Sequence, residues 1–378
     1  MHTQTHACLD EIPADQWNGL VEGGYPFLRH EFLSALEHHD AVGRRFGWLP
    51  HHLACYDADQ RLVGAAPLYL KDNSYGEFVF DWAWADACER AGMPYYPKLV
   101  AAIPYTPAPG PRMLTAPGHH ETAGLALVTA AVEEARRLRV SSLHWLFTSS
   151  SDDALLTHQG LLLRTGCQFH WHNPGYRDFD DFLATFNSER RKKVRRERRR
   201  VAEQNVEVRV LHGHETCGAD WSTFHRFYAA TFHRHGGVPT LSEGFFAEVA
   251  RTLGDRVVLV LAACGGRDVA GALCFRSDDT LYGRHWGCDD TYDGLHFEAC
   301  YYQGIEYCIR HGLRHFQPGA QGEHKIWRGF EPTATASMHW IAHPGFRQSI
   351  ARFLEHERQE MTCYIAEMRA HTPFKAAP

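Results

Sequence analysis

The chain has 378 residues, 44% of them apolar and 22% charged, with a formal net charge of −6. That length exceeds one ordinary core and predicts two domains, and the composition excludes a disordered or fibrous protein. No apolar run approaches the roughly 18–20 residues of a membrane span, and no basic-then-apolar leader is visible. The eleven cysteines lie without a CxxC pair, so free thiols in a reducing cytoplasm are expected. Among the 27 histidines, neither His212, His214 and Cys217 nor His233 and His235 match a closed zinc spacing, so no metal is expected. The acidic balance hides a basic run, since nine of the 39 Lys and Arg residues fall at 190–200. General polyanion binding is thereby disfavoured, while a local phosphate or RNA contact is allowed.

In chain order, a short helix is predicted around 15–20, and Phe32, Leu33 and Leu36 share one face of a second. Strands over 49–56 and 61–71 form a hairpin joined by the turn-forming residues 57–60. Residues 72–118 read as a long irregular insert rich in Pro, Gly and aromatics, a loop length that usually serves function. A helix over 121–139 carries the stripe Leu125, Val128, Val132, Ala135 and Leu138, and a strand at 141–147 follows.

The second half repeats this order. The pattern PFL-x3-FL-x2-L from Pro26 is echoed by PTL-x3-FF-x2-V from Pro239, and LVGAA at 62–66 by VAGAL at 269–273. Ordered echoes at nearly equal offsets predict an internal duplication. In the second copy, strands over 256–263, 269–277 and 280–288 form an antiparallel meander. Asp293 is expected to cap a helix with the stripe Leu295, Ala299, Tyr302, Ile305 and Ile309, which Gly312 ends. A strand at 314–317 delivers FQPGAQGEHKIWRGF at 316–330, before a strand at 335–342 and an amphipathic helix. The expected fold is mixed α/β (α+β), two tandem GNAT-like domains with sheets flanked by helices. The first spans 1–174 with the 72–118 insert. The second spans 175–378, with a basic helix at 181–204 and a C-terminal helix at 346–368.

The 316–330 stretch follows a strand end, where ligands of α/β sheets gather. There Lys325 or Arg328 can stabilise charge on a carbonyl or hold an anion, and His324 or Glu323 can take a proton from an amine, with Gln321 beside them. His296 and Glu298 begin the neighbouring helix, and Tyr301 and Tyr302 follow one turn later. In the insert, Lys71, Glu77, Asp81, Lys98 and Arg112 interleave with Trp82, Trp84, Tyr95, Tyr96 and Tyr105. Charges among rigid rings suit a pocket for a polar acceptor, or an insert packed over the sheet by its own aromatics. On the basic helix, Arg190 shares the face of Phe182, Phe186 and Val194. Arg191, Lys192, Arg195 and Arg196 point largely to solvent and, with Lys193, form either a solvated basic face or a phosphate contact.

PLYLK at 67–71, GEFVFDW at 76–82, YYPK at 95–98, PYTP at 104–107, GPR at 110–112, HFE at 296–298, CYY at 300–302 and GAQGEHK at 319–325 resemble the FemAB-like N-acyltransferases. The duplication likewise resembles the Fem-type aminoacyl- and peptidyl-transferases. The resemblance implies transfer of an aminoacyl or acyl group to the amine of a small molecule or peptide, with a lysine near this strand end. It also implies aminoacyl-tRNA as donor, its acceptor end on the basic helix, and no separate cofactor. The Gln/Arg-x2-Gly-x-Gly/Ala loop that grips a CoA pyrophosphate is missing from both halves, so acyl-CoA in another pose is the alternative donor. A non-catalytic nucleic-acid or peptide-binding protein using the basic helix is the alternative from another class.

Overall fold

Pro67 has no N–H to give to a ladder, and there the strand expected over 61–71 divides. Leu62–Ala66 pairs with His52–Tyr56 in one sheet, while Leu68–Lys71 pairs with Trp48–Pro50 in another. The computed structural model describes residues 1–289, 292–320 and 322–375. Two compact units emerge: Met1–Glu22, Phe27–Cys167 and Ala334–Tyr364 form the first; Gly23–Pro26, Gln168–Thr333 and the chain from Ile365 form the second. Residues 334–364, placed in the second domain by sequence, thus pack with the first unit. The reason is burial: Ala336–Ile341 pairs with the strand at 142–148, and Ile350 and Leu354 of the helix Pro344–Ala370 join Trp84, Tyr95 and Ile341.

In the first unit, His2–His6, His52–Tyr56, Leu62–Ala66 and Leu114–Thr115 form an antiparallel sheet. A second sheet takes Trp48–Pro50, Leu68–Lys71, Lys98–Ala101, Ser142–Thr148 and the end of Glu331–Ile341. The insert is less irregular than its composition suggests. It holds the helix Trp82–Arg90 and the wholly buried strand Lys98–Ala101, which runs parallel to Ser142–Thr148. The helix His120–Arg137 buries Ala123, Leu127, Val128, Ala131 and Ala135, whereas Leu125 of the expected stripe is 42% exposed. Small residues win that face because the helix rests close on the sheet: a Cβ at Gly64 would lie 3.0 Å from that of Ala123.

In the second unit, Val206–His212, Val257–Cys264, Arg267–Arg276 and Thr280–Cys288 form an antiparallel meander, one strand more than expected. His315–Gln317 runs parallel to the last of these, but only along Thr280, Leu281 and Tyr282. Just beyond, the register jumps from Leu273–His285 to Cys274–Gly283, so Arg284 forms a bulge. Bulge and the end of the parallel pairing coincide there. The basic helix is not continuous over 181–204. Phe179–Ala184 and Ser188–Glu203 are separate, with the Asn187 side chain accepting the Arg190 N–H as an N-cap. Asp293 pairs with Arg200 at 2.9 Å instead of capping, and Gly294, at φ 82, takes the cap position. The following helix passes through a π-turn at Glu298–Tyr302 before Gln303–His311.

Candidate active site

Gly319, Gly322 and Gly329 all adopt positive φ, at 100, 111 and 88°, values that a side chain would strain. Between the last two, Glu323–Arg328 winds one 3-10 segment that turns Lys325, Ile326 and Arg328 inward and leaves Glu323 and Trp327 outside. Lys325 is 2% exposed and donates from Nζ to the Gly319 carbonyl at 2.7 Å. Burial lowers its pKa to about 8, against a small opposing effect of Cys300. The ammonium borders a cavity of about 270 Å³ whose walls include Arg284, His285, Trp286, His296, Cys300, Tyr301 and His324, with no acidic residue among the described ones.

The π-turn decides which side chains reach that cavity. Its extra residue shifts the helix face, so that His296, Cys300 and Tyr301 line the cavity while Glu298 turns away. Burial lowers the His296 pKa to about 4, with the nearby cations adding to the effect, so its ring is neutral at neutral pH. His324, lowered for the same reasons, is 2.9 Å from the Tyr301 hydroxyl through Nε2.

Four expected site residues are not at the cavity. Glu298 accepts two hydrogen bonds from Arg198, at 2.9 and 3.0 Å, and lines a separate groove with Arg195 and Glu306. Glu323 lies at the surface, away from the cavity lining. The Tyr302 hydroxyl donates to Glu197 and accepts from Arg328 at 3.1 Å. Arg328 also donates to the His324 carbonyl at 2.8 Å and to both Glu197 oxygens, and its guanidinium carbon lies 3.4 Å from the Phe297 ring centre. With these bonds it braces the 3-10 segment, leaving no open face toward the cavity. Gln321 falls outside the described residues. Substituting Arg328→Met should destabilise the protein by about 2–4 kcal/mol in urea unfolding, because Glu197 loses its cationic partner and keeps only the Tyr302 hydroxyl. Arg328→Lys should recover only part, since one ammonium cannot span these acceptors.

The first unit carries its own polar cluster. Lys98, wholly buried, donates to Ser74 at 2.8 Å, Glu77 at 2.8 Å and Asp81 at 2.5 Å. Tyr95 donates to Asp81 at 2.5 Å and lies 3.3 Å from His144, which is 2.6 Å from His339 on the paired strand. Burial pushes both carboxyls up. At Asp81 the Lys98 ammonium outweighs it and holds the group low, whereas Glu77 stays raised to about 7. Glu77 Oε1 and Asp81 Oδ1 are buried without a partner among the described residues. Tyr96 joins through Ser74 at 2.8 Å. Lys71 sits 3.9 Å over the Trp48 ring and donates to Asn73 and the Tyr75 carbonyl. Arg112 is spent on backbone, donating to the carbonyls of Ala108, Gly110, Pro111 and Leu146, and Trp82 is 49% exposed beside Phe80. Ser74, His144 and His339 escaped sequence reading, although the His-Trp pairs at 144–145 and 339–340, each inside an apolar strand, were a signal.

On the basic helix, Arg190 and Lys193 lie 5.1 and 5.4 Å from the Trp327 ring centre, and Arg195 pairs with Asp180 at 2.8 Å. Lys192 and Arg196 are exposed, and Arg191 is half-buried. Among the described residues, no group of three or more His, Cys, Asp or Glu side chains is placed to hold a metal, and no helix is long and apolar enough to cross a membrane.

A model of the FemAB-like family, described as peptidoglycan biosynthesis/recognition, matches residues 8–376. The chain belongs to the FemAB-like family. Solved structures resemble this FemAB-like chain along nearly its whole length. FemX aligns with a TM-score of 0.53 at 14% identity, covering 93% of this chain and 100% of FemX. L-PGS from Bacillus licheniformis aligns with a TM-score of 0.52 at 10% identity, covering 91% and 97%. The C-terminal domain of a proposed lysylphosphatidylglycerol synthetase from Agrobacterium fabrum aligns at 0.53 and 9%, covering 92% and 95%. At such identities the likeness establishes the shared fold alone, and the mixed α/β class is the one expected. No curated protein sequence matches significantly. Family membership supports acyl or aminoacyl transfer in general.

Proposed function

We propose that this FemAB-like protein is an N-acyltransferase that moves an aminoacyl or acyl group from an activated ester onto an amine, with the Lys325 cavity holding the reacting carbonyl. The observation that carries this reading is the Lys325 ammonium itself, buried against a cavity that has no carboxylate among its described lining residues and hydrogen-bonded to the Gly319 carbonyl. The amine nitrogen attacks the carbonyl carbon, and the electron pair moves to the carbonyl oxygen, where Lys325 donates a hydrogen bond. Collapse re-forms the carbonyl and breaks the bond to the leaving oxygen, which takes the Lys325 proton. A neutral imidazole, His296 or His324, takes the proton from the attacking nitrogen and returns it to Lys325. The donor is proposed as aminoacyl-tRNA. The basic face of Arg190, Arg191, Lys192, Lys193, Arg195 and Arg196 meets RNA phosphates, and such binding falls steeply with salt.

The pH profile tests the role of Lys325. Its ammonium is the acid, so the rate should hold through neutral pH and decline above about 8. In Lys325→Arg, whose guanidinium does not titrate there, the remaining activity should lose that decline. An unchanged decline in the variant assigns the titration to another group. Stabilisation by CoA thioesters with no effect of RNA would move the donor to acyl-CoA.

A further inference from the structure

We infer that Trp327, with Arg190 and Lys193, forms a nucleotide-binding platform: the indole stacks on a base and the two cations hold its phosphate. Trp327 is 39% exposed although its neighbours Ile326 and Arg328 are buried. Arg190 and Lys193, one helical turn apart, are the cations over its ring. The helix divides by charge. Arg195, Arg198 and Arg200 are neutralised by Asp180, Glu298 and Asp293, whereas neither Arg190 nor Lys193 has a carboxylate partner among the described residues. An exposed indole beside two unneutralised cations matches a planar π-system attached to an anion, which is the chemistry of a nucleotide. Ile326 alone separates Trp327 from Lys325 on the same 3-10 segment, so the platform and the catalytic lysine are positioned by one structural element.

The nucleotide binding follows from these residues alone; that the nucleotide carries the acyl group rests on the transfer reading above. Two sources share the chemistry, the 3′-terminal nucleotide of an RNA and the adenine nucleotide of CoA. The test measures binding of a fluorescein-labelled RNA oligonucleotide ending in ACCA, and of CoA, to the full chain at low salt. At least one probe should bind. Trp327→Ala should weaken it by about tenfold or more, and Trp327→Phe, which keeps a stacking ring, should retain most of the affinity. Joint substitution of Arg190 and Lys193 by Gln should weaken binding and flatten its salt dependence. Whichever probe binds identifies the source. No binding of either, or equal binding by wild type and Trp327→Ala, overturns the platform. Platform and transfer chemistry fail separately: lost turnover in Lys325→Met, with Trp327→Ala binding the probe as wild type does, removes only the platform.

Discussion

Replacing Lys325 with Met is expected to stop turnover and, at the same time, to make the protein more stable. Removing a positioned donor to a developing oxyanion lowers the rate by about 10²–10³. The stabilisation has a separate origin. The ammonium is 2% exposed with no carboxylate among the described residues lining its cavity, and burial lowers its pKa from 10.5 to about 8. Such a depression corresponds to roughly 3 kcal/mol by which the charged form disfavours the folded state at neutral pH. Methionine has a similar length without the charge, so Lys325→Met should gain on the order of 1–3 kcal/mol in urea unfolding at pH 7. The folded wild type binds fewer protons than the unfolded chain between pH 8 and 10.5, so its stability should rise across that window. The variant should lack the rise. Equal stability of the two proteins at pH 7 contradicts a charged, uncompensated Lys325.

At Lys98 the same substitution should do the opposite. Lys98→Met leaves Glu77 and Asp81 buried beside each other with no cation between them, and breaking a buried ion pair from one side costs about 3–5 kcal/mol. The loss should shrink in acid, because protonating the two carboxyls removes the buried charge that Lys98 compensates. It should shrink equally in a triple variant that adds Glu77→Gln and Asp81→Asn. Denaturant unfolding at pH 7 and pH 4 measures both. A Lys98→Met variant as stable as wild type would show that the cluster is hydrated and the charges are not buried.

The difference between the two lysines also explains what was legible in the sequence. GAQGEHKIWRGF announced itself because backbone turns need glycine and because ionisable residues crowd between the glycines. Both properties are local, and the structure keeps Lys325 and His324 together. The roles of Glu298 and Arg328 were not legible, since the direction of a side chain in a π-turn or a 3-10 segment depends on one residue of phase. The strand Lys98–Ala101 was hidden for another reason. A four-residue strand flanked by Pro97 and Pro104 resembles the loop around it, and only pairing with Leu68–Lys71 and Ser142–Thr148 identifies it. Pairing is long-range, as are the contacts of His144 with His339 and of Arg198 with Glu298. In the stripe of the helix His120–Arg137, Val128, Val132, Ala135 and Leu138 pack on the core as expected, and Leu125 alone was misplaced: the preference for Ala123 is set by the glycine opposite.

Acyl transfer at Lys325 is tested most directly by the product. Wild type and Lys325→Met, each incubated with a radiolabelled aminoacyl-RNA ending in ACCA and a mixture of primary amines and amine-bearing peptides, are compared for labelled amide by chromatography and mass spectrometry. The account predicts a new amide with wild type and at least about a hundredfold less with Lys325→Met, although both bind the RNA equally. Equal amide formation by the two proteins, or bound RNA that never yields an amide, contradicts it.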